Sequence, residues 1–155
     1  MKLLTNVRNE QTGGNMVNLV QDVMTRNPKV LRGSSTVMDA ARTMRDFKIG
    51  DVIVVDDTNR VRGIVTDRDL VVKSIASGSD PSKTAIESFC TKDVTALKPT
   101  QTTDDAVKMM REKAIRRLPV VEGETLVGIV SLGDLAKRID SGSCLGQISA
   151  APPNN

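Results

Sequence analysis

The sequence repeats itself, and this repeat restricts the possible folds more than any other feature does. The phrase GIVTDRDL at residues 63–70 returns as GIVSLGDL at residues 128–135. Thr36 and Thr102 lie 66 residues apart, as do Thr25 and Thr91, so the repeated unit is much longer than the octet. A unit of this size standing alone would leave one face of its sheet bare, and we therefore expect the two copies to share a core.

Each copy carries the pattern of a β-α-β-β-α unit. Thr36 with Asp39, and Thr102 with Asp105, are typical of capping boxes that begin a helix. Apolar residues then follow one helix face in both copies: Val37, Ala40, Ala41, Met44 and Phe47 in the first, and Ala106, Val107 and Met110 in the second. The predicted strands are residues 29–31, 52–55, 61–65, 94–97, 118–121 and 125–130, and the predicted second helices are residues 67–76 and 132–139.

These elements predict an α/β (α+β) fold in which two tandem repeats pack sheet to sheet about a pseudo-twofold axis. The predicted repeats are residues 17–76 and 85–140, joined by a polar linker at residues 77–84. Residues 1–16 and 141–155 contain stretches rich in Gly, Asn and Pro, and we predict that both are flexible tails.

Composition argues against several classes of function. The chain has no His, and its two cysteines, Cys90 and Cys144, lack the spacing of a metal site, so we predict no enzyme, no metal site and no required cofactor. With a net charge of +3, two Phe and no Trp or Tyr, the chain has few rings on which bases could stack, and nucleic-acid binding is a minor alternative. No apolar run approaches the roughly 20 residues of a membrane span, and free thiols suit a reducing compartment, so we expect a cytoplasmic protein.

A family resemblance is carried by the two octets and by the strand motif RRLPVVE at residues 116–122. With the β-α-β-β-α order, they resemble the cystathionine-β-synthase (CBS) domain, and two such units in tandem resemble a Bateman module. The resemblance covers residues 20–140 and is closest to the small bacterial CBS-pair proteins that include the hypoxic-response type. It implies two clefts between the repeats that often bind AMP, ADP, ATP or S-adenosylmethionine, and the assembly of two chains into a disc-shaped homodimer.

The acid near the end of each octet is the candidate ligand-binding group. An ionised carboxylate can accept hydrogen bonds from both hydroxyls of a ribose. Asp69 follows Thr66 by three residues, Asp134 follows Ser131 by three, and the hydroxyls and free N–H groups of such a turn can meet a phosphate. An ordinary helix cap produces the same pattern without any ligand, so a structural role for either acid stays open.

The resemblance implies that each cleft takes its acid from one repeat and its walls from the other. The Asp69 cleft is then predicted to contain Thr66, Arg68, Asp69, Thr91, Ala96, Ile115, Arg116 and Arg117. The Asp134 cleft is predicted to contain Thr25, Val30, Ile49, Gly50, Ser131 and Asp134. Where the first cleft has two arginines, which match phosphate oxygens, the second has Gly50 and Asp51. We therefore expect the Asp69 cleft to be the better nucleotide site, and the Asp134 cleft to be empty or to take an uncharged nucleoside.

The leading prediction is a non-catalytic regulatory module, homodimeric, that binds an adenine nucleotide and signals to a protein partner that the sequence does not identify. The alternative is a structural adaptor whose clefts have lost their ligands, which Asp51 favours for one cleft. In that case the arginine pair would be a solvated or dimer-facing basic edge. Cys90 is predicted to be a small buried side chain.

Overall fold

The computed structural model describes residues 18–152, and the predicted tail at residues 1–16 lies outside them. The first half contains α1 (Val20–Val23), β1 (Thr25–Arg26), β2 (Val30–Arg32), α2 (Val37–Phe47), β3 (Asp51–Val55), β4 (Val61–Thr66) and α3 (Asp67–Asp69). After α3 come a π-helical turn (Leu70–Ser74) and a 3₁₀ turn (Ile75–Ser77). The second half contains a 3₁₀ turn (Ile86–Ser88), α4 (Thr103–Lys113), β5 (Arg117–Glu122), β6 (Thr125–Ser131), α5 (Leu132–Ile139) and α6 (Cys144–Ala150).

Two three-stranded sheets form the centre of the molecule, in the orders β2-β3-β4 and β1-β6-β5. Strand β3 is buried on both faces because Val52 and Val54 belong to a core beneath the helices, whereas Ile53 and Val55 pack with Ile129 of the other sheet. This third apolar cluster joins the two sheets, and the predicted α+β fold with sheet-to-sheet packing is confirmed.

The cores of the two halves are built from equivalent positions. The first contains Val37, Ala40, Met44, Val52, Val54, Val65, Leu70 and Ile86, and the second contains Val20, Leu97, Ala106, Met110, Leu118, Val120, Val130 and Leu135. Ala40 and Ala106 let α2 and α4 approach their sheets closely, and Met44 and Met110, one turn later, fill the remaining space.

The segment that leads into each repeat crosses to the other half. Val20, at the start of the first repeat, is fully buried in the second core, and Ile86, at the start of the second, is fully buried in the first core. The backbone follows the same exchange, since Thr25 pairs with Ile129 and Thr91 pairs with Ile64. Each half is therefore completed by a piece of the other repeat.

This exchange explains why both octets begin with glycine. A β-carbon on Gly63 would lie 2.7 Å from Cys90 Sγ, and one on Gly128 would lie 2.5 Å from Met24 Sδ. Real β-carbons do not approach other atoms so closely, so a larger residue would require the side chain of Cys90 or Met24 to move. It would also press on the carbonyl oxygens of Thr91 and Thr25, at 3.0 and 3.1 Å. Cys90 is accordingly a half-buried packing residue, and burial raises the pKa of its thiol.

Two predictions about local structure were wrong, and a third, a helix, was right but missed a change of helix type. Only Leu97 of residues 94–97 pairs with β5, because a tight turn between Lys92 O and Val94 N, 2.9 Å apart, redirects the chain after Thr91 has joined the other sheet. The helix predicted at residues 67–76 is helical but contains the π-helical turn. Part of the predicted tail at residues 141–155 forms α6, which Ser143 caps by accepting a hydrogen bond from Gly146 N–H at 3.0 Å.

Candidate functional site

The two octets fold into the same local structure, a strand that runs directly into a capped helix. The Thr66 hydroxyl donates to Asp69 Oδ2 at 2.8 Å, and the Asp69 N–H donates back to Thr66 Oγ1 at 3.2 Å. Ser131 and Asp134 form the same pair at 2.7 and 3.2 Å. Both acids therefore have the structural role that sequence reasoning left open, and a ligand must use whatever acceptor capacity remains.

A cavity of about 170 Å³ lies beside Asp69, between the first sheet and the second repeat. It brings together six of the eight residues predicted for this cleft: Thr66, Asp69, Thr91, Ile115, Arg116 and Arg117. The cavity is closed by five residues that the prediction did not include: Ile64, Asp93, Val94, Thr95 and Pro119. Asp69 and the arginines thus come from different repeats and meet in one hollow.

Two residues predicted for this cleft lie elsewhere. Arg68 is exposed and does not line the cavity, because it follows the cap on the outer side of the helix. Ala96 lines a neighbouring hollow with Val94 and Val121, because the irregular chain before Leu97 turns its side chain away from Asp69. The residues that replace it, Val94 and Thr95, come from the same irregular segment, and regular strand alternation could not have indicated them.

The carboxylate of Asp69 already has several donors. Lys73 Nζ lies 2.8 Å from Asp69 Oδ1, and the N–H and hydroxyl of Thr66 both donate to Asp69 Oδ2. Burial acts to raise the pKa of Asp69, but the hydrogen bonds from Lys73 and Thr66 outweigh it and leave this pKa below its ordinary value. Since a carboxylate has about four acceptor positions, one position on Oδ1 remains for a ligand while Lys73 stays in place.

The two arginines of the cavity differ in their surroundings. Arg117 forms an ion pair with Asp51 of the first repeat, and its side chain is only 32% exposed. Arg116 is exposed and forms no ion pair with any residue between 18 and 152. The predicted two-arginine fork is therefore divided, with Arg116 available to an anion and Arg117 held by a carboxylate.

The residues predicted for the Asp134 cleft do not line the Asp69 cavity. Thr25 and Val30 are exposed, and Gly50 lies under the Arg117 guanidinium, where a β-carbon would be 2.9 Å from Nη2. Ile49 packs at the edge of the first core, and Ser131 and Asp134 form the helix cap. Among residues 18–152 no cation pairs with Asp134, because Arg138, which corresponds to Lys73, donates to Asn18 Oδ1 at 3.3 Å.

Comparison with known proteins identifies the family. The CBS domain family matches residues 20–75 and again residues 86–141, which together are more than half of the chain. The chain belongs to the CBS domain family. Its two matches are the two repeats, and the resemblance inferred from the octets is confirmed.

Similar proteins include other CBS pairs of about the same length. The CBS domain-containing protein YhcV of Bacillus subtilis is 34% identical over 134 residues, which are 84% of this chain and 94% of YhcV. Hypoxic response protein 1 of Mycobacterium tuberculosis is 29% identical over 119 residues, which are 77% of this chain and 83% of that protein. The solved CBS domain pair of protein MJ0100, in complex with 5′-methylthioadenosine and S-adenosyl-L-methionine, has a TM-score of 0.74 and 25% identity over 82% of this chain and 99% of that one.

The described part of this CBS pair has neither a metal-binding cluster nor a membrane-spanning helix. Between residues 18 and 152, no three Cys, Asp or Glu side chains are grouped in a way that could hold a metal ion. The helices of the same residues are all too short or too polar to cross a bilayer. The polar lining of the Asp69 cavity includes the acids Asp69 and Asp93 and the exposed Arg116, and its apolar wall is formed by Ile64, Ile115 and Pro119.

Proposed function

We propose that this CBS pair is a regulatory module that binds an adenosine compound in the Asp69 cavity. The observation that carries the proposal is that the Asp69 carboxylate and the Arg116 guanidinium, from different repeats, line the same hollow. A ligand that touches both would hold the repeats in one relative position, and a protein partner could recognise that position.

Each part of the cavity suits one part of such a ligand. A ribose hydroxyl donates to the free acceptor position of Asp69 Oδ1, and an adenine ring packs against Ile115 and Pro119. A 5′-phosphate, as in AMP, ADP or ATP, accepts hydrogen bonds from Arg116. Asp93 also lines the cavity and acts against a highly charged ligand, which favours AMP over ATP.

The cavity must widen to admit a whole nucleoside. Its volume of about 170 Å³ is below the roughly 300–1,000 Å³ that small-molecule pockets usually have. Movement of Arg117, which lines the cavity and is partly exposed, would enlarge it. Movement of Lys73 would free the second acceptor position of Asp69 Oδ1. The complex of the MJ0100 domain pair with 5′-methylthioadenosine and S-adenosyl-L-methionine supports an adenosine compound as the ligand class.

Thermal melting with and without millimolar AMP, ADP, ATP, 5′-methylthioadenosine and S-adenosylmethionine tests the proposal. A ligand present at 100 times its dissociation constant stabilises the folded protein by roughly 2.7 kcal/mol, and we expect such a shift with at least one of these compounds. Asp69→Asn should remove the shift. Asp105→Asn is the matched control, because Asp105 caps α4 in the same way but does not line the cavity.

Two results would count against a ligand. If no adenosine compound stabilises the wild-type protein, the adaptor alternative replaces our proposal. If Asp105→Asn reduces the shift as much as Asp69→Asn does, the effect of Asp69 is one of helix capping and not of ligand contact.

We also propose that two copies of the chain associate through the outer helical face of the first repeat. Three large apolar side chains of the helical segment after β4 are more than half exposed, namely Val71, Val72 and Ile75, as is Phe47 at the end of α2. A second copy would remove the same apolar surface from water on both chains. Light scattering after size exclusion should give twice the 16.7 kDa chain mass for the wild type and for Ile148→Lys, a control on α6, and the monomer mass for Val72→Lys/Ile75→Lys. A monomeric wild type would rule the dimer out.

A further inference from the structure

The ion pair between Asp51 and Arg117 joins equivalent positions of the two repeats. Asp51 is the first residue of β3 and stands opposite Thr66, whereas Arg117 is the first residue of β5 and stands opposite Ser131. The duplicated position thus carries a negative charge in one copy and a positive charge in the other, and the two charges meet between the clefts.

The pair is partly removed from water, and other charges surround it. Asp51 is 17% exposed, and its carboxylate faces Arg117 together with two further acids, Asp67 and Asp134. Asp67 Oδ2 would lie only 3.2 Å from a β-carbon on Gly50, beside the guanidinium of Arg117. The absence of a side chain at Gly50 is what lets Arg117 reach across to Asp51.

We propose that Asp51 is a specificity-determining residue which, by holding Arg117, makes the Asp69 cavity favour uncharged over phosphorylated adenosine compounds. This inference rests on the proposed function. Arg117 lines the cavity, so a phosphate there would draw the guanidinium away from Asp51. Asp51 would then be a half-enclosed carboxylate with Asp67 and Asp134 as its remaining charged neighbours, which is unfavourable.

An uncharged ligand does not meet this competition. Adenosine or 5′-methylthioadenosine has no group that competes with the Asp51 carboxylate for Arg117, and the ion pair can stay intact while the ribose contacts Asp69. The cost of breaking the pair therefore falls on phosphorylated ligands alone, and it should appear in the ratio of the two affinities.

Calorimetric titration of AMP and adenosine at one ionic strength tests this role in three proteins: wild type, Asp51→Asn and Asp67→Asn. Both variants remove one negative charge near Arg117 and are nearly isosteric, but only the first removes the ionic partner of Arg117. We expect Asp51→Asn to tighten AMP binding about tenfold, the size of one charge-assisted contact, and to change adenosine binding less than twofold. Asp67→Asn should change the AMP-to-adenosine ratio less than threefold, and adding Arg117→Gln to Asp51→Asn should remove the gain.

Inorganic pyrophosphate separates this inference from the proposed function. Suppose that none of the three proteins binds AMP or adenosine, but pyrophosphate stabilises Asp51→Asn more than Asp67→Asn. The proposed function then fails, whereas the inference that Asp51 keeps Arg117 from binding phosphate is supported. If AMP and adenosine bind and the ratio is unchanged by Asp51→Asn, or if both variants change it equally, the role of Asp51 is overturned. An unchanged pyrophosphate response in the absence of nucleoside binding overturns both.

Discussion

Asp69 and Asp134 occupy equivalent caps, with hydroxyl-to-carboxylate distances of 2.8 and 2.7 Å, but their surroundings differ. Asp69 is paired with Lys73 and lines a cavity that contains two arginines. Asp134 has no cationic partner among residues 18–152. The charge that it meets from the other repeat is the carboxylate of Asp51, which repels it. One copy of the site is thus rich in cations and the other is poor in them.

The difference shows which parts of a duplicated unit are fixed by folding and which are free to diverge. The caps and the core alanines and methionines are needed in both halves, because each half must form the same helices on the same sheet. Residues outside the caps and the cores, such as Gly50 and Arg116, carry no such requirement. A ligand preference can therefore change in one cleft while the fold stays symmetric.

The largest effect we expect comes from residues that cross between the halves. Ile86→Ala should destabilise the protein by about 2–5 kcal/mol because it opens a cavity in the first core, and Val20→Ala should cost about 2 kcal/mol in the second. Urea unfolding should show a single transition for both variants, since each half is completed by the other repeat. Ile148→Ala, at a residue that is 66% exposed, is the matched control and should stay within about 0.5 kcal/mol.

A separate early transition in either variant would contradict this interlocking. It would show that one half unfolds while the other persists, and the two repeats would then be independent units that merely touch.

Substituting the two acids compares the clefts directly. Asp69→Ala should weaken AMP binding at least tenfold, or about 1.4 kcal/mol, whereas Asp134→Ala should weaken it less than threefold. Both substitutions remove the same kind of cap, so loss of the cap alone cannot account for a difference in affinity. Asp69→Ala also removes the ion pair with Lys73, and Lys73→Met measures that contribution separately. Calorimetric titration gives both constants, and a larger loss with Asp134→Ala would mean that the clefts are assigned the wrong way round.

Most of the fold could be predicted because helices, strands and caps leave local periodic signals. Thr36 and Thr102 mark helix starts to the residue, and the hairpins follow from two apolar runs around a polar turn. The local pattern could not predict that Thr25 and Thr91 pair with the opposite sheets, since nothing local distinguishes a strand that pairs within its own repeat from one that pairs outside it. Only the family resemblance placed Thr91 with Asp69 and Thr25 with Asp134. The glycines of the octets indicated that another chain segment approaches the strand closely, but they do not indicate which segment it is.

Much of the lining of the Asp69 cavity could be predicted, but the contacts among its residues could not. Six of the eight residues predicted from the repeat and the family pattern line the Asp69 cavity. The pattern could not show that Asp51 already pairs with Arg117, because this ion pair depends on side-chain reach in three dimensions. The spacing of Lys73 from Asp69 is a helical pair that sequence alone could have suggested.

A smaller effect is expected from releasing Asp69 from its lysine. Lys73→Met should tighten adenosine binding roughly threefold, since a partly exposed ion pair contributes only about 0.2–1 kcal/mol. Arg138→Met, the equivalent change in the second repeat, should leave the affinity unchanged because Arg138 does not pair with Asp134. Weaker binding to Lys73→Met would instead mean that Lys73 contacts the ligand itself.

The smallest effect should be a pH dependence of opposite sign at Asp51 and Asp69. Burial raises the pKa of Asp51 despite the adjacent Arg117, so its contribution to stability is full at low pH and is lost as pH rises through its folded pKa. At Asp69, burial is outweighed by the hydrogen bonds from Lys73 and Thr66 and the pKa is lowered. That contribution is full above the unfolded pKa and is lost as pH falls through the folded one.

Thermal melting of the wild type, Asp51→Asn and Asp69→Asn between about pH 3 and pH 6 measures both contributions. The asparagine resembles a protonated aspartate, so each variant should match the wild type most closely at the acid end. As pH rises, the melting temperature of Asp51→Asn should increase relative to the wild type, and that of Asp69→Asn should decrease. If both differences had the same sign, Arg117 would compensate the burial of Asp51 as fully as Lys73 and Thr66 compensate that of Asp69, and the raised pKa of Asp51 would be contradicted.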